Sequence, residues 1–229
     1  MSAKNKIMLN RNLSKSDLTV NNILLLVFSF ALTFLVPLWP LAIHKTINIL
    51  LFSIIFFLSI FALTPKVRKR MFFAATLALI TEWIADIFTL DILSYVSSMI
   101  NVIFFQLIVI RLIFQIARSK EVNSNVILES VNAYLLLGLM FTMLVTILNL
   151  YDPNALNFAN TDKVNFQDTL YFTFVTMSTL GYGDVTPQVP IAKSLSILIS
   201  ISGQLYIAII VAMLVGKFAA SQSTNSSES

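Results

Sequence analysis

The sequence predicts an all-α membrane protein: six transmembrane helices, plus a short re-entrant helix that ends in a glycine-bearing loop. Three observations carry this. First, the 229 residues are 57% hydrophobic and only 11% charged, where a soluble domain holds about 25% charged residues. Mean hydropathy is +0.85, so the chain needs lipid as its solvent. Second, charge-poor runs at 18–43, 46–65, 71–90, 92–110, 130–151 and 194–216 each approach or exceed the ~20 residues that cross a hydrocarbon core. Third, the cations fall in alternate loops. Lys4, Lys6, Arg11, Lys15, then Lys66, Arg68, Lys69, Arg70, then Arg118, Lys120, and finally Lys217 share one side; Lys45, Lys163 and Lys193 share the other. This is positive-inside asymmetry. It predicts a multi-pass protein of the plasma or inner membrane with both termini cytoplasmic. The same placement turns the net charge of +4 away from a nucleic-acid partner and toward membrane lipids.

The elements follow in order. Residues 1–20 form a cytoplasmic lead-in. The run at 18–43 is too long for a signal-peptide core and no small-residue cleavage site follows it, so it reads as a retained span. Pro37 and Pro40 end it, and His44 and Lys45 after Trp39-Pro40 read as interface anchors. Pro65 ends the second run, and the basic loop KVRKR leads into the third. Asp91 marks a short turn before the fourth, and 119–125 is a polar link to the fifth. Residues 151–165 are polar. The segment 169–180 is apolar but too short to cross, so it enters and leaves by one face. Asp168 at its start and Gly181 at its end predict a short helix. The Ser-rich tail after Lys217 reads as disordered. There is no cysteine, so disulfides and thiolate metal sites are excluded, and one histidine does not make a metal centre.

The chemistry centres on TLGYGD, residues 179–184. Two of only five glycines, Gly181 and Gly183, flank Tyr182 there. Non-helical backbone at membrane depth is tolerated where it is buried in protein or lines a wet cavity. Backbone that aims successive carbonyls one way alternates in handedness, and glycine suits the left-handed positions. The spacing is therefore that of a ladder of oxygens from Thr179, Leu180, Gly181 and Tyr182, with the Thr179 hydroxyl innermost. Such oxygens replace the hydration shell of a large monovalent cation. Spacing alone leaves a second reading open, a glycine turn between two spans.

The run from Asp168 to Asp184, DTLYFTFVTMSTLGYGD, resembles the pore helix and selectivity filter of the potassium channel family. Residues 203–218, GQLYIAIIVAMLVGKF, resemble that family's inner helix, and the likeness spans roughly 125–218. The resemblance implies a prokaryotic-type six-span subunit and a homotetramer that passes potassium ions and uses no cofactor. It implies ion ligands at Thr179, Leu180, Gly181, Tyr182 and Gly183, filter support from Tyr171, Phe172, Val175 and Asp184, and a gating hinge at Gly203. Leu180 stands where the family has valine, and Tyr171 and Phe172 where many members have tryptophans. Tyr171 can still offer its hydroxyl to Asp184; Phe172 cannot donate to Tyr182. The proline pair that bends the inner helix of voltage-gated relatives is replaced by Ile210 and Ala212. Gly203, Ile207 and Val211, spaced by four, predict an apolar cavity face, with Gly216 a possible second bend.

The first four spans lack the arginine ladder of a voltage sensor. Arg111 and Arg118 lie seven apart in QLIVIRLIFQIARSK, against about 3–4 gating charges per subunit in a working sensor. Little voltage dependence is expected. Glu82 and Asp86 share a face of the third span. They read as a structural Glu82–Arg111 pair with Asp86 near outer water, or as a proton or ligand sensor. The predicted domains are 1–20 lead-in, 21–120 sensor-like domain, 121–218 pore domain and 219–229 tail. The expected function is a potassium-selective channel and not an enzyme. A less selective monovalent cation channel is the nearest alternative. A transporter would show broken helices in both halves, and no nucleophile accompanies Glu82 and Asp86 to make an intramembrane enzyme.

Overall fold

Proline shapes the first helices. The computed structural model describes residues 18–38, 41–87, 91–119, 123–158 and 164–226. Helix α1 (Leu18–Leu38) runs regularly to residue 30, then widens to a π turn over Ala31–Leu35 and tightens to a 3-10 turn over Val36–Leu38. The Val36 amide reaches back to the Ala31 carbonyl. Pro37 has no amide with which to continue the four-residue ladder.

Pro65 corrects the sequence reading. It opens a helix instead of closing one: α2 is Leu41–Ala62 and α3 is Pro65–Ile87. Proline suits the first helical position, where its missing amide has no partner to lose. The Thr64 carbonyl takes the amides of Val67 and Arg68, both at 3.0 Å. The segment KVRKR is therefore the first turns of α3, not a loop. Arg68 folds back and donates Nε and Nη2 to the Leu63 carbonyl at 3.3 and 3.2 Å, with its guanidinium over the Phe61 ring. Helix α4 is Asp91–Ala117, and α5 is Ser124–Tyr151. The Asn123 side-chain oxygen accepts the Val126 amide at 3.0 Å and caps α5.

Two short strands and two further helices complete the chain: β1 (Leu156–Phe158), α6 (Phe166–Met177), β2 (Val185–Pro187) and α7 (Pro190–Ser226). Among the described residues four helices are long and apolar enough to cross a membrane: Leu18–Leu38, Met99–Ala117, Ser124–Tyr151 and Pro190–Gly216. Leu50–Ala62 is a shorter apolar helix. The mostly helical chain with these apolar helices is an all-α membrane-embedded protein.

The chain forms two compact units, Met1–Ser119 with Asn123–Asn132, and Lys120–Val122 with Ala133–Ser229. The division falls inside α5, between Asn132 and Ala133. Polar contacts explain why the first turns of α5 cluster with α1. Thr19 donates to the Asn125 side chain at 2.9 Å, Asn22 to Glu129 at 3.2 Å, and Asn132 to the Asn22 carbonyl at 2.8 Å. The core of the first unit is Ile55, Ile60, Phe105, Ile108 and Val109, all fully buried. Phe56 meets Phe57, Phe104 and Phe105, and Phe72 meets Phe57 and Phe61, so rings knit α2, α3 and α4 together. In the second unit Leu136, Leu139, Met177 and Ile199 are fully buried.

Candidate functional site

The site begins with the start of α6. Asn165, not Asp168, is the N-cap. Its side-chain oxygen accepts the amides of Gln167 at 2.8 Å and Asp168 at 3.2 Å. The Asp168 carboxylate in turn accepts the Asn165 amide at 2.8 Å. This reciprocal capping box starts the helix at Phe166, three residues earlier than the apolar run suggested. Asp168 also places a negative charge at the positive end of the helix dipole.

The far end of α6 is closed by the chain that leaves it. The Ser178 amide donates to Phe174 and the Thr179 amide to Thr176, both at 3.0 Å. The Val175 carbonyl accepts the Leu180 amide at 3.0 Å, the Gly181 amide at 3.4 Å and the Ser178 hydroxyl at 3.2 Å. These bonds pull TLGYGD back over the last turn. Orphan carbonyls at a helix end need such partners.

Beyond the helix the backbone alternates. φ is +60° at Thr179, +57° at Gly181 and +83° at Gly183, and neither Leu180 nor Tyr182 is left-handed. The glycine spacing marked two of these positions. Thr179 is the third, and only the period of two could have found it. A β-branched residue there is strained by about 1–3 kcal/mol. Among the described residues no atom within 4 Å would obstruct a Cβ on Gly181 or Gly183, so within the chain handedness, not space, demands glycine. In the single chain Leu180 and Tyr182 are exposed.

Asp184 anchors the exit of the loop. The Tyr171 hydroxyl donates to Asp184 Oδ2 at 2.7 Å, and the Val185 amide donates to Asp184 Oδ1 at 3.1 Å. This hydrogen bond to the carboxylate, with its negative charge, pushes the Tyr171 hydroxyl up to about 12. The loop then enters β2, which pairs antiparallel with β1: Leu156 opposite Pro187, Asn157 opposite Thr186, Phe158 opposite Val185. The Gln188 amide extends the ladder to the Ala155 carbonyl at 2.9 Å. Sequence reasoning missed this sheet, because three-residue strands carry too little alternation to register.

Phe172, expected beside the filter residues, is buried in its unit at 6% exposure. Val175 contributes through its carbonyl. Gln204, which sequence reasoning did not single out, directs Nε2 at the Thr179 hydroxyl at 3.4 Å. Its position next to Gly203 in an otherwise apolar run was the available signal.

Gly203 differs in exposure from Ile207 and Val211, with which it was expected to form an apolar cavity face. It is buried, whereas those two are 43% and 52% exposed. A Cβ on Gly203 would lie 2.2 Å from the Met177 carbonyl oxygen, so its bare backbone is what lets α7 lie against the end of α6. Helix α7 runs unbroken through both Gly203 and Gly216, and Gly216 has nothing within 4 Å of a built Cβ. Gly138 on α5 receives the Phe174 ring in the same way, at 2.3 Å from a built Cβ. Thr146 and Thr169 share a 2.8 Å hydrogen bond between hydroxyls. Arg111 is exposed in the last two turns of α4. The side chains of His44, Lys45, Glu82, Trp83 and Asp86 lie outside the described residues, as therefore does the expected Glu82–Arg111 pair.

Residues 131–220 match the family model described as ion channel. The matched stretch takes in most of α5 and all of α6, TLGYGD and the apolar part of α7. It supports an ion-channel family and an ion-channel function. No curated protein and no solved structure matches the chain.

Proposed function

We propose that this protein is a potassium-selective channel in which four copies of TLGYGD line one pore. The observation that carries the proposal is the alternation of left-handed backbone at Thr179, Gly181 and Gly183 directly after a short capped helix. Alternation of this kind turns successive carbonyls toward one side of the strip, and a ring of such strips replaces the hydration shell of a dehydrated cation. One chain supplies one strip, so a ring requires a symmetric oligomer. The residue order TLGYGD, which keeps the tyrosine and both glycines of potassium filters, favours potassium over a less selective pore. In this reading α6 is the pore helix, with its partially negative C-terminal end directed at the ion path. Helices α1 to α4 are the four spans of a sensor-like domain, α5 the outer helix and α7 the inner helix. Both termini are cytoplasmic, and potassium is the permeant substrate of a passive process.

Exposure of Leu180, Tyr182 and most of the apolar α7 surface in the single chain fits a subunit whose neighbours cover it. The deciding experiment is purified full-length protein in planar bilayers under mixed sodium and potassium gradients. A reversal potential that follows potassium supports the proposal. One midway between the two ions identifies the less selective channel, and coupled flux against a gradient identifies a transporter.

A further inference from the structure

Arg111 and Arg118 stand seven apart at the C-terminal end of α4. Arg111, Phe114 and Gln115 share one stripe of α4 at i, i+3, i+4, and Arg118 follows at i+7, one residue past the helix end, with its amide bonded to the Phe114 carbonyl at 3.1 Å. All four line a pocket of about 350 Å³, within the ~300–1,000 Å³ range of ligand clefts. Its opposite wall is the α2–α3 corner, Leu63, Thr64 and Val67.

Gln115 of α4 ties that helix to the corner. Gln115 Nε2 donates to the Ala62 carbonyl at 3.1 Å, and Gln115 Oε1 accepts the Thr64 amide at 3.0 Å. Arg68, on the same corner, is committed to the Leu63 carbonyl. Glu129 bonds Asn22 and Gln115 and does not line the pocket. Among the described residues the Arg111 and Arg118 side chains make no hydrogen bond or ion pair, and no acidic side chain lines the pocket. Among the described residues, then, two guanidiniums without a partner face a cleft whose remaining walls are largely apolar.

Depth adds a second constraint. The apolar helix Leu50–Ala62 ends just before Leu63, and the candidate span Met99–Ala117 ends just before Arg118. Both walls thus stand where apolar helix gives way to polar chain, the level of lipid headgroups. Planar guanidinium groups suit phosphate oxygens, with bidentate geometry available to each. We propose that the pocket binds a phosphate-bearing anion, with the guanidiniums of Arg111 and Arg118 on the phosphate and Leu63, Val67 and Phe114 against its apolar part. The source is an anionic lipid or a soluble phosphate compound.

Full-length protein is reconstituted in phosphatidylcholine vesicles with or without phosphatidylglycerol, and retained lipid is counted by native mass spectrometry. In parallel, inorganic phosphate is tested for protection of Arg111 and Arg118 against phenylglyoxal. The expected result is preferential retention of phosphatidylglycerol, weakened about fivefold by each of Arg111→Gln and Arg118→Gln and largely kept in the double lysine variant. Enrichment without phosphate protection assigns the pocket to a lipid headgroup. Phosphate protection without enrichment assigns it to a soluble phosphate compound, and both together support the shared chemistry. Equal retention of the two lipids with no phosphate protection overturns the proposal. So does enrichment that is unchanged when both arginines are replaced by glutamine.

Discussion

The Tyr171 hydroxyl donates a 2.7 Å hydrogen bond to the Asp184 carboxylate, thirteen residues on, and so ties the middle of α6 to the exit of TLGYGD. Tyr171→Phe removes the only donor on that side chain. The variant is expected to enter a non-conducting state a few-fold faster than the parent under sustained potassium current. Identical inactivation kinetics would mean that β1 and β2 alone hold the exit.

The same bond sets a pH expectation. The Tyr171 hydroxyl is pushed up to about 12 by its bond to Asp184. The folded value is raised, so the bond's contribution is fully present below the ordinary tyrosine value near 10 and is lost as pH rises through about 12. Inactivation kinetics should therefore be flat between about pH 7 and 9 as far as Tyr171 is concerned. A transition in that window that disappears in Tyr171→Phe would contradict the assignment.

Gly203 and Gly216 separate packing from bending. Gly203→Ala places a methyl against the Met177 carbonyl, and backbone cannot step aside as a flexible side chain can. Thermal unfolding of the detergent-solubilised protein should show a loss of about 1–3 kcal/mol. Gly216→Ala meets nothing among the described residues and should be neutral or gain up to about 1 kcal/mol from helix propensity. Equal effects at both positions would remove the close-approach explanation.

Gly138 and Phe174 form a testable pair. Gly138→Ala drives a methyl into the Phe174 ring and is expected to cost about 1–3 kcal/mol. Phe174→Leu also destabilises, because it empties part of the same space. The double variant should be less destabilised than the sum of the two, and an additive cycle would show that the two side chains do not compete.

Gly181→Ala and Gly183→Ala strain the backbone without creating a clash. Each forces an L-residue into left-handed φ at about 1–2 kcal/mol. Potassium current should fall, and selectivity over sodium with it, while the mass of the assembled complex in mild detergent stays that of the parent. Wild-type selectivity in either variant would show that the alternation does not aim the ligands.

Voltage dependence should be weak. Arg111 is the single basic residue inside the candidate span Met99–Ala117, and one charge crossing the whole field couples only about 2.3 kcal/mol per 100 mV. A steep conductance–voltage curve in symmetric potassium, free of blockers, would require gating charge from elsewhere.

Much of the architecture was legible because it depends on local composition. The lipid-seeking runs, the short helix before TLGYGD and the two left-handed glycines all follow from which residues stand next to which. Local patterns also misled. Pro65 read as the end of one helix and is the start of another, since proline punctuates either way until the capping Thr64 carbonyl is seen. Asp168 read as the start of the short helix, which begins two residues earlier at Phe166, because the capping Asn165 lay outside the apolar run.

By itself the sequence determined the solvent of this chain, its helical character and the position of its left-handed glycines. Those properties reside in hydropathy and in the conformational limits of single residues. Only the tertiary structure decided that Gly203 serves contact with Met177, that Gly138 seats Phe174, that β1 braces the loop through β2, and that Arg111 and Arg118 share a pocket. Each of these joins residues far apart in the chain. Close approach depends on which two surfaces meet, and no period along a single helix encodes its partner.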